Sequence, residues 1–145
     1  MNPDMLTKAN QIIMKCTEAY IGVIDEKGYP SVSTVSTIRP EGIFEAYFAT
    51  GLEANKTKRL LKDKRASVCF RAGSNNITLV GEAEICTDQP TKRRMWLDWF
   101  INHFPLGETD PNYCVIKFTT KRVSLWIDYE SAEFTINELQ KVQSS

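Results

Sequence analysis

The chain has 145 residues, enough for one hydrophobic core of ordinary domain size and too few for two generous ones. Hydrophobic residues make up 42% and charged residues 25%, which excludes a chain too polar to collapse. Lys and Arg number 18, as do Asp and Glu, so no global field gathers nucleic acid or an anionic membrane, and any anion site is local.

The opening MNPDMLTKAN has neither a basic start nor an apolar signal core, and the longest apolar run, AYIGVI at 19–24, falls well short of a membrane span. The expectation is a single cytoplasmic domain over residues 1–145, with its core at about 5–130 and a tail at 131–145. Cys16, Cys69, Cys86 and Cys114 are far apart, form no CxxC pair and have only one histidine to join them in a metal site. They read as buried free thiols, with no metal.

In chain order, residues 3–17 set Leu6, Ala9, Ile13 and Cys16 on one face, a helical period with Pro3 suited to the first turn. YIGVID, SVSTVSTI and IFEAYFAT follow as β-rich runs separated by turns at EKGYP and RPEG. A basic helix is expected at about 53–64, then a strand in ASVCFR. In ITLVGEAEI, residues Ile77, Leu79, Gly81, Ala83 and Ile85 alternate with Thr78, Val80, Glu82 and Glu84, the clearest strand of the sequence. Thr87 or Asp88 can cap a third helix, with Pro90 in its first turn and Met95, Trp96, Trp99, Phe100 and His103 as its apolar stripe. YCVIKFTT and RVSLWID read as a closing hairpin. The sum is a mainly β protein of about seven strands and three helices, an antiparallel β-barrel with added helices.

Two features point to chemistry. After the strand ending at Thr50, the helix start offers free backbone N–H groups and the positive end of a dipole, with Lys56 and Arg59 one turn apart. A phosphate would be held there; the other reading is a solvated basic face. No GxxxxGK[ST] loop is present. In RVSLWID, Trp126 shares the polar face with Arg122, Ser124 and Asp128, so it calls for cover by a second subunit, a planar ligand or the C-terminal tail through Phe134 and Ile136. His103 has no neighbouring nucleophile in sequence and reads as a packed or helix-terminal histidine without a role. The absence of a GxSxG elbow excludes hydrolysis by that route.

The stretches WLDWFINHFPLGETDPNYCVIKFTTKRVSLWID and FATGLEANKTKRLLKDKRASVCF resemble the general-stress-protein branch of the pyridoxamine 5′-phosphate oxidase-like flavoproteins. The first carries that branch's Trp-bearing helix, its Phe-Pro-x-Gly-x-x-Asp-Pro turn and its closing strand ending in Trp-x-Asp. The second carries a strand ending in Thr, then a Lys at the start of a helix. The resemblance covers roughly residues 5–130 and implies the FMN-binding split β-barrel.

It also implies cofactor-binding residues: Ala49, Thr50, Asn55 and Lys56 around the phosphate, and Ser33, Thr34, Val35 and Ser36 along the flavin. Asn76 falls where some relatives place a Gln that reaches the flavin from the other subunit, and Trp126 matches the Trp bordering it. A homodimer follows, with Trp96 and Trp99 among the aromatics to be covered. Two departures stand out: the usual phosphate-binding Arg is Ser33 here, and the Ser two residues before the Lys is Ala54. Each removes a charge-assisted hydrogen bond of roughly 1.5 to 3 kcal/mol at most, with Arg59 or Lys58 as candidate replacements.

The implied activity is FMN-dependent oxidoreduction, FAD being the other flavin, with NAD(P)H as a reductant. The segment DYESAEFTINELQKVQSS lacks the Arg- and His-bearing tail with which true pyridoxamine 5′-phosphate oxidases hold substrate. The alternatives are a non-catalytic flavin-binding stress protein, or a barrel holding haem, a deazaflavin or a protein partner.

Overall fold

A computed structural model describes residues 3–144. Seven strands form one antiparallel sheet: β1 (Glu18–Ile24), β2 (Pro30–Pro40), β3 (Glu45–Gly51), β4 (Arg65–Ala72), β5 (Asn75–Cys86), β6 (Tyr113–Ile127) and β7 (Glu130–Thr135). The strand order is β3-β2-β1-β4-β5-β6-β7, and a further β3–β6 pairing closes the first six into a barrel. This is the split barrel that the resemblance implies. Closure gives β3 a partner on either side, which leaves β7 as the edge strand of the sheet.

The period-2 pattern explains which side faces in. Ile77, Leu79 and Ala83 of β5 are buried against Ala19, Ile21 and Val23 of β1, Val68 and Phe70 of β4, and Phe118, Val123 and Leu125 of β6. Around the barrel lie α1 (Pro3–Lys15), α2 (Asn55–Lys62), α3 (Gln89–Arg94) and α4 (Ile136–Ser144). Helix α1 buries Met5, Ala9 and Ile13 in the same core. None of the helices among the described residues is long and apolar enough to cross a membrane.

Three features differ from the expectations. The closing hairpin is one unbroken strand, β6, of 15 residues. It continues through Lys121 and Arg122 because a register shift at Val80/Gly81 of β5 absorbs the extra residue. The seventh strand lies instead in the segment read as a tail: β7 pairs with the second half of β6, and Phe134 and Leu139 are buried in the core. The third helix stops at Arg94, and its expected aromatic stripe continues as a 3-10 turn, Asp98–Asn102, so the described residues hold four α-helices where three were expected.

The split itself is a matter of pairing. Strand β2 pairs with β3 only over Thr37–Pro40. Its earlier part, Pro30–Ser36, pairs with β1 alone, while Ala49, Thr50 and Gly51 of β3 pair with β6 alone. The two strands therefore diverge, and the chain between β3 and α2 lies beside the gap.

Candidate functional site

The gap between β2 and β3 is a cleft of about 280 Å³ lined by Thr34, Val35 and Ser36 on one wall and Ala49, Thr50, Gly51, Ala54 and Lys56 on the other. Six of the ten sequence-predicted site residues meet there: Thr34, Val35, Ser36, Ala49, Thr50 and Lys56. Asn55 is the first residue of α2, next to Lys56, and is exposed. Ser33 is exposed and pairs with Ile21 in the β1–β2 ladder, outside the cleft lining.

Helix α2 begins without a side-chain cap, since Ala54 occupies the cap position. The N–H groups of Thr57 and Lys58 bond the Ala54 carbonyl, at 3.1 and 3.2 Å. The amides before them lie at the positive end of the helix, beside the cleft.

Thr50 and Thr57 hold this helix start in place. The Thr57 hydroxyl donates to the Gly51 carbonyl at 2.7 Å and lies 3.2 Å from the Thr50 hydroxyl. Thr57 has one hydrogen and has spent it on Gly51, so Thr50 donates and Thr57 accepts. Thr50 therefore acts from behind the helix start, its own hydrogen engaged within the chain.

The replacement cations proposed from sequence point elsewhere. Arg59 reaches Glu26 through Nε at 2.9 Å and Nη2 at 3.3 Å, and the Ser31 hydroxyl through Nη1 at 3.2 Å. Lys58 pairs with Glu53 at 3.4 Å. Lys56 is thus the one Lys or Arg lining the cleft.

A third wall was not foreseen. Trp99, Phe100, His103 and Phe104, from the 3-10 turn and its exit, complete the lining. Phe100 and Phe104 are buried in a second aromatic core with Met95, Tyr113 and Val115. Trp96 packs edge-on against Phe100 and Tyr113, with centroids at 5.5 and 5.2 Å, which corrects the expectation that it awaits cover. Trp99 remains 45% exposed.

The Phe-Pro-x-Gly-x-x-Asp-Pro turn joins this wall to the helix start. The buried carboxylate of Asp110 accepts the N–H of Leu106 at 3.2 Å and of Asn112 at 2.9 Å, and its carbonyl accepts the buried Lys92 ammonium at 3.0 Å. Asn112 then accepts the Glu53 N–H through its side chain at 3.1 Å and the Leu52 N–H through its carbonyl at 2.8 Å. One motif fixes two walls of the cleft.

Asn76 and Trp126 do not line the cleft. They stand opposite each other in the β5–β6 ladder. As the alternation predicts, Val123, Leu125 and Ile127 point inward and Trp126 outward, 39% exposed. Its ring meets Tyr129 edge-on at 6.4 Å. The C-terminal segment does not cover it, because Phe134 is in the barrel core opposite Val123.

All four cysteines are free; Cys114 is buried and the others are half-buried. Among the described residues, no three His, Cys, Asp or Glu side chains are grouped to hold a metal ion.

Solved structures share this fold. A protein from Clostridium acetobutylicum related to general stress protein 26 is 23% identical, with a TM-score of 0.87 over 96% of this chain and 99% of its own. General stress protein 26 from Bacillus anthracis is 21% identical, with a TM-score of 0.73 over 88% and 97%. A heme binding protein from Mycobacterium smegmatis is 19% identical, with a TM-score of 0.74 over 93% of this chain and 59% of its own. No curated protein matches the chain. The sequence model described as pyridoxamine 5′-phosphate oxidase like matches residues 4–144. The chain belongs to the pyridoxamine 5′-phosphate oxidase-like family.

Proposed function

We propose that the chain binds FMN as a homodimer, with the phosphate end in the cleft between β2 and β3, and serves as a flavin-dependent oxidoreductase. The observation that carries this reading is Lys56 at an uncapped helix start in the gap where β2 and β3 diverge. A phosphomonoester carries about −1.5 to −2 charge, and an ammonium with backbone amides at a helix N-terminus is a fitting donor set for it. The hydroxyls of Thr34 and Ser36 on the facing wall suit the polyol chain.

The cleft volume of about 280 Å³ lies just below the usual 300–1,000 Å³ of enclosed small-molecule sites. It suits the polar end of the cofactor and leaves the ring system to be covered from outside. The outer sheet face supports a second copy in that role. Thr34, Tyr20, Cys69, Thr78 and Ser124 lie in one cross-strand row on β2, β1, β4, β5 and β6, without a charged side chain. Val32 and Tyr20, 69% and 40% exposed, lie on the same face, as do Asn76 and Trp126. A self-complementary twofold contact through this face would carry Asn76 and Trp126 of each copy towards the cleft of the other.

Bound FMN supplies reversible hydride and electron transfer. The protein's part is to anchor the phosphate through Lys56, orient the polyol and exclude water with Trp99 and Trp126. A nicotinamide such as NAD(P)H is the proposed reductant. FAD, whose further nucleotide would have to leave the cleft, is less well matched. A haem reading has a single imidazole, His103, and a cleft too small to enclose the macrocycle.

The test is visible absorption of the purified protein during titration with FMN, with sedimentation to give the oligomeric state. Saturable binding with a shifted flavin spectrum by a dimer is expected. Failure to bind at high flavin concentration would overturn the reading. Flavin affinity and fluorescence unchanged by Trp126→Leu would remove Trp126 from the site.

A further inference from the structure

We infer that His103 is the second anion-holding side chain of the cleft, doing here what the resemblance assigns to an arginine at the position of Ser33. The inference rests on the phosphate reading above and deepens it.

The cleft is short of cationic side chains. Lys56 is its one Lys or Arg. Arg59 is held by Glu26 and Ser31, and Lys58 by Glu53, so neither turns towards it. The hydrogen of Thr50 is committed to Thr57, and Ser33 lies outside the lining. Ala54 supplies no hydroxyl. A dianionic phosphate has more acceptor sites than one ammonium and the amides of the helix start can fill.

His103 is placed to meet them. Its backbone closes the 3-10 turn by donating to the Phe100 carbonyl at 2.9 Å, which fixes where the side chain leaves the chain. Its ring is set edge-on to Trp99 at 5.8 Å and tilted to Phe104 at 6.5 Å, on the wall facing α2. A histidine ending a helical turn can bond the last carbonyls with its ring. Among the described residues no hydrogen bond involves this imidazole, so both ring nitrogens remain available. The ring is exposed beyond its contacts with Trp99 and Phe104, and Lys56 is the one other ionisable side chain in the lining.

The experiment is calorimetric titration with FMN and with riboflavin, which lacks the phosphate, of the unaltered protein, His103→Ala, His103→Lys and Lys56→Ala. His103→Ala is expected to weaken FMN binding about tenfold, the effect of one hydrogen bond to a charged group, and to leave riboflavin binding unchanged. His103→Lys is expected to keep the preference for FMN. If Lys56→Ala lowers that preference and His103→Ala does not, the inference fails while the phosphate reading stands. Equal loss of both ligands in His103→Ala would place the ring against the flavin and overturn the phosphate role. If neither variant changes the ratio, or the unaltered protein binds neither ligand, both readings fall.

Discussion

Replacing Thr57 by Val tests the order of hydrogen bonds behind the cleft. Thr57 is fully buried and Thr50 is 6% exposed. Valine keeps the shape of threonine and removes the acceptor on which Thr50 spends its hydrogen. Gly51 keeps a partner, because the Ala54 N–H also donates to its carbonyl at 3.1 Å. The loss is therefore that of one buried, stranded hydroxyl, about 1–3 kcal/mol. Thr50→Val removes only a donor and leaves Thr57 bonded to Gly51, so it should cost less than about 1 kcal/mol. The double variant has no stranded hydroxyl and should be closer to Thr50→Val than to Thr57→Val. Urea unfolding of the four proteins gives the cycle directly. A Thr57→Val no more destabilised than Thr50→Val, or strict additivity in the cycle, would refute the assignment of Thr50 as donor.

Two further outcomes follow from the core. At Gly81 an added Cβ would collide with the carbonyl oxygen of Thr119 and press on its carbon. Both belong to the backbone of the bulge, so Gly81→Ala should reach or exceed the upper end of the roughly 1–3 kcal/mol cost of overpacking; an unchanged melting temperature would contradict this account of β6. Burial pushes the Cys114 thiol up to about 11 and the Tyr113 phenol up to about 12. Their neutral forms are favoured in the fold, so this stability is intact below the ordinary thiol value of 9.0 and is lost as pH rises through about 11 and 12. Unfolding free energy measured against pH should be level up to the ordinary thiol value of 9.0 and fall between there and about 12, with a shallower fall in Cys114→Ala; an identical slope in that variant would exclude Cys114 as a source.

What the sequence revealed depended on how local the cause is. The alternation of Ile77, Leu79, Gly81 and Ala83 fixes β5 because one face of one strand is buried along its length. The continuity of β6 was hidden because the exposed pair Lys121–Arg122 looks like a turn, whereas Lys121 is the extra residue of a bulge whose partners, Val80 and Gly81, lie far earlier in the chain on β5. Strand β7 was missed for a related reason. Its two-residue turn places Asp128 and Tyr129 at φ of 52° and 67°, a conformation usually announced by Asn-Gly or Asp-Gly. At the cleft, charge pattern alone left Lys56 between a phosphate site and a solvated face. The divergence of β2 from β3 sets Lys56 beside a cleft, and it arises from long-range pairing that local pattern does not carry. Trp99 and His103 were legible only as parts of a helical stripe; the 3-10 turn re-aims them, and Asp110 and Asn112 bring that turn to α2.

On the proposed reading, the cleft between β2 and β3 holds a phosphate through Lys56. The most direct test of this claim is FMN affinity, followed by the flavin's visible absorption, in Lys56→Ala against the unaltered protein. Loss of the ammonium should weaken FMN at least about tenfold, as expected for a hydrogen bond to a charged group, in a protein of unchanged unfolding midpoint. FMN bound equally well by both proteins would contradict the claim.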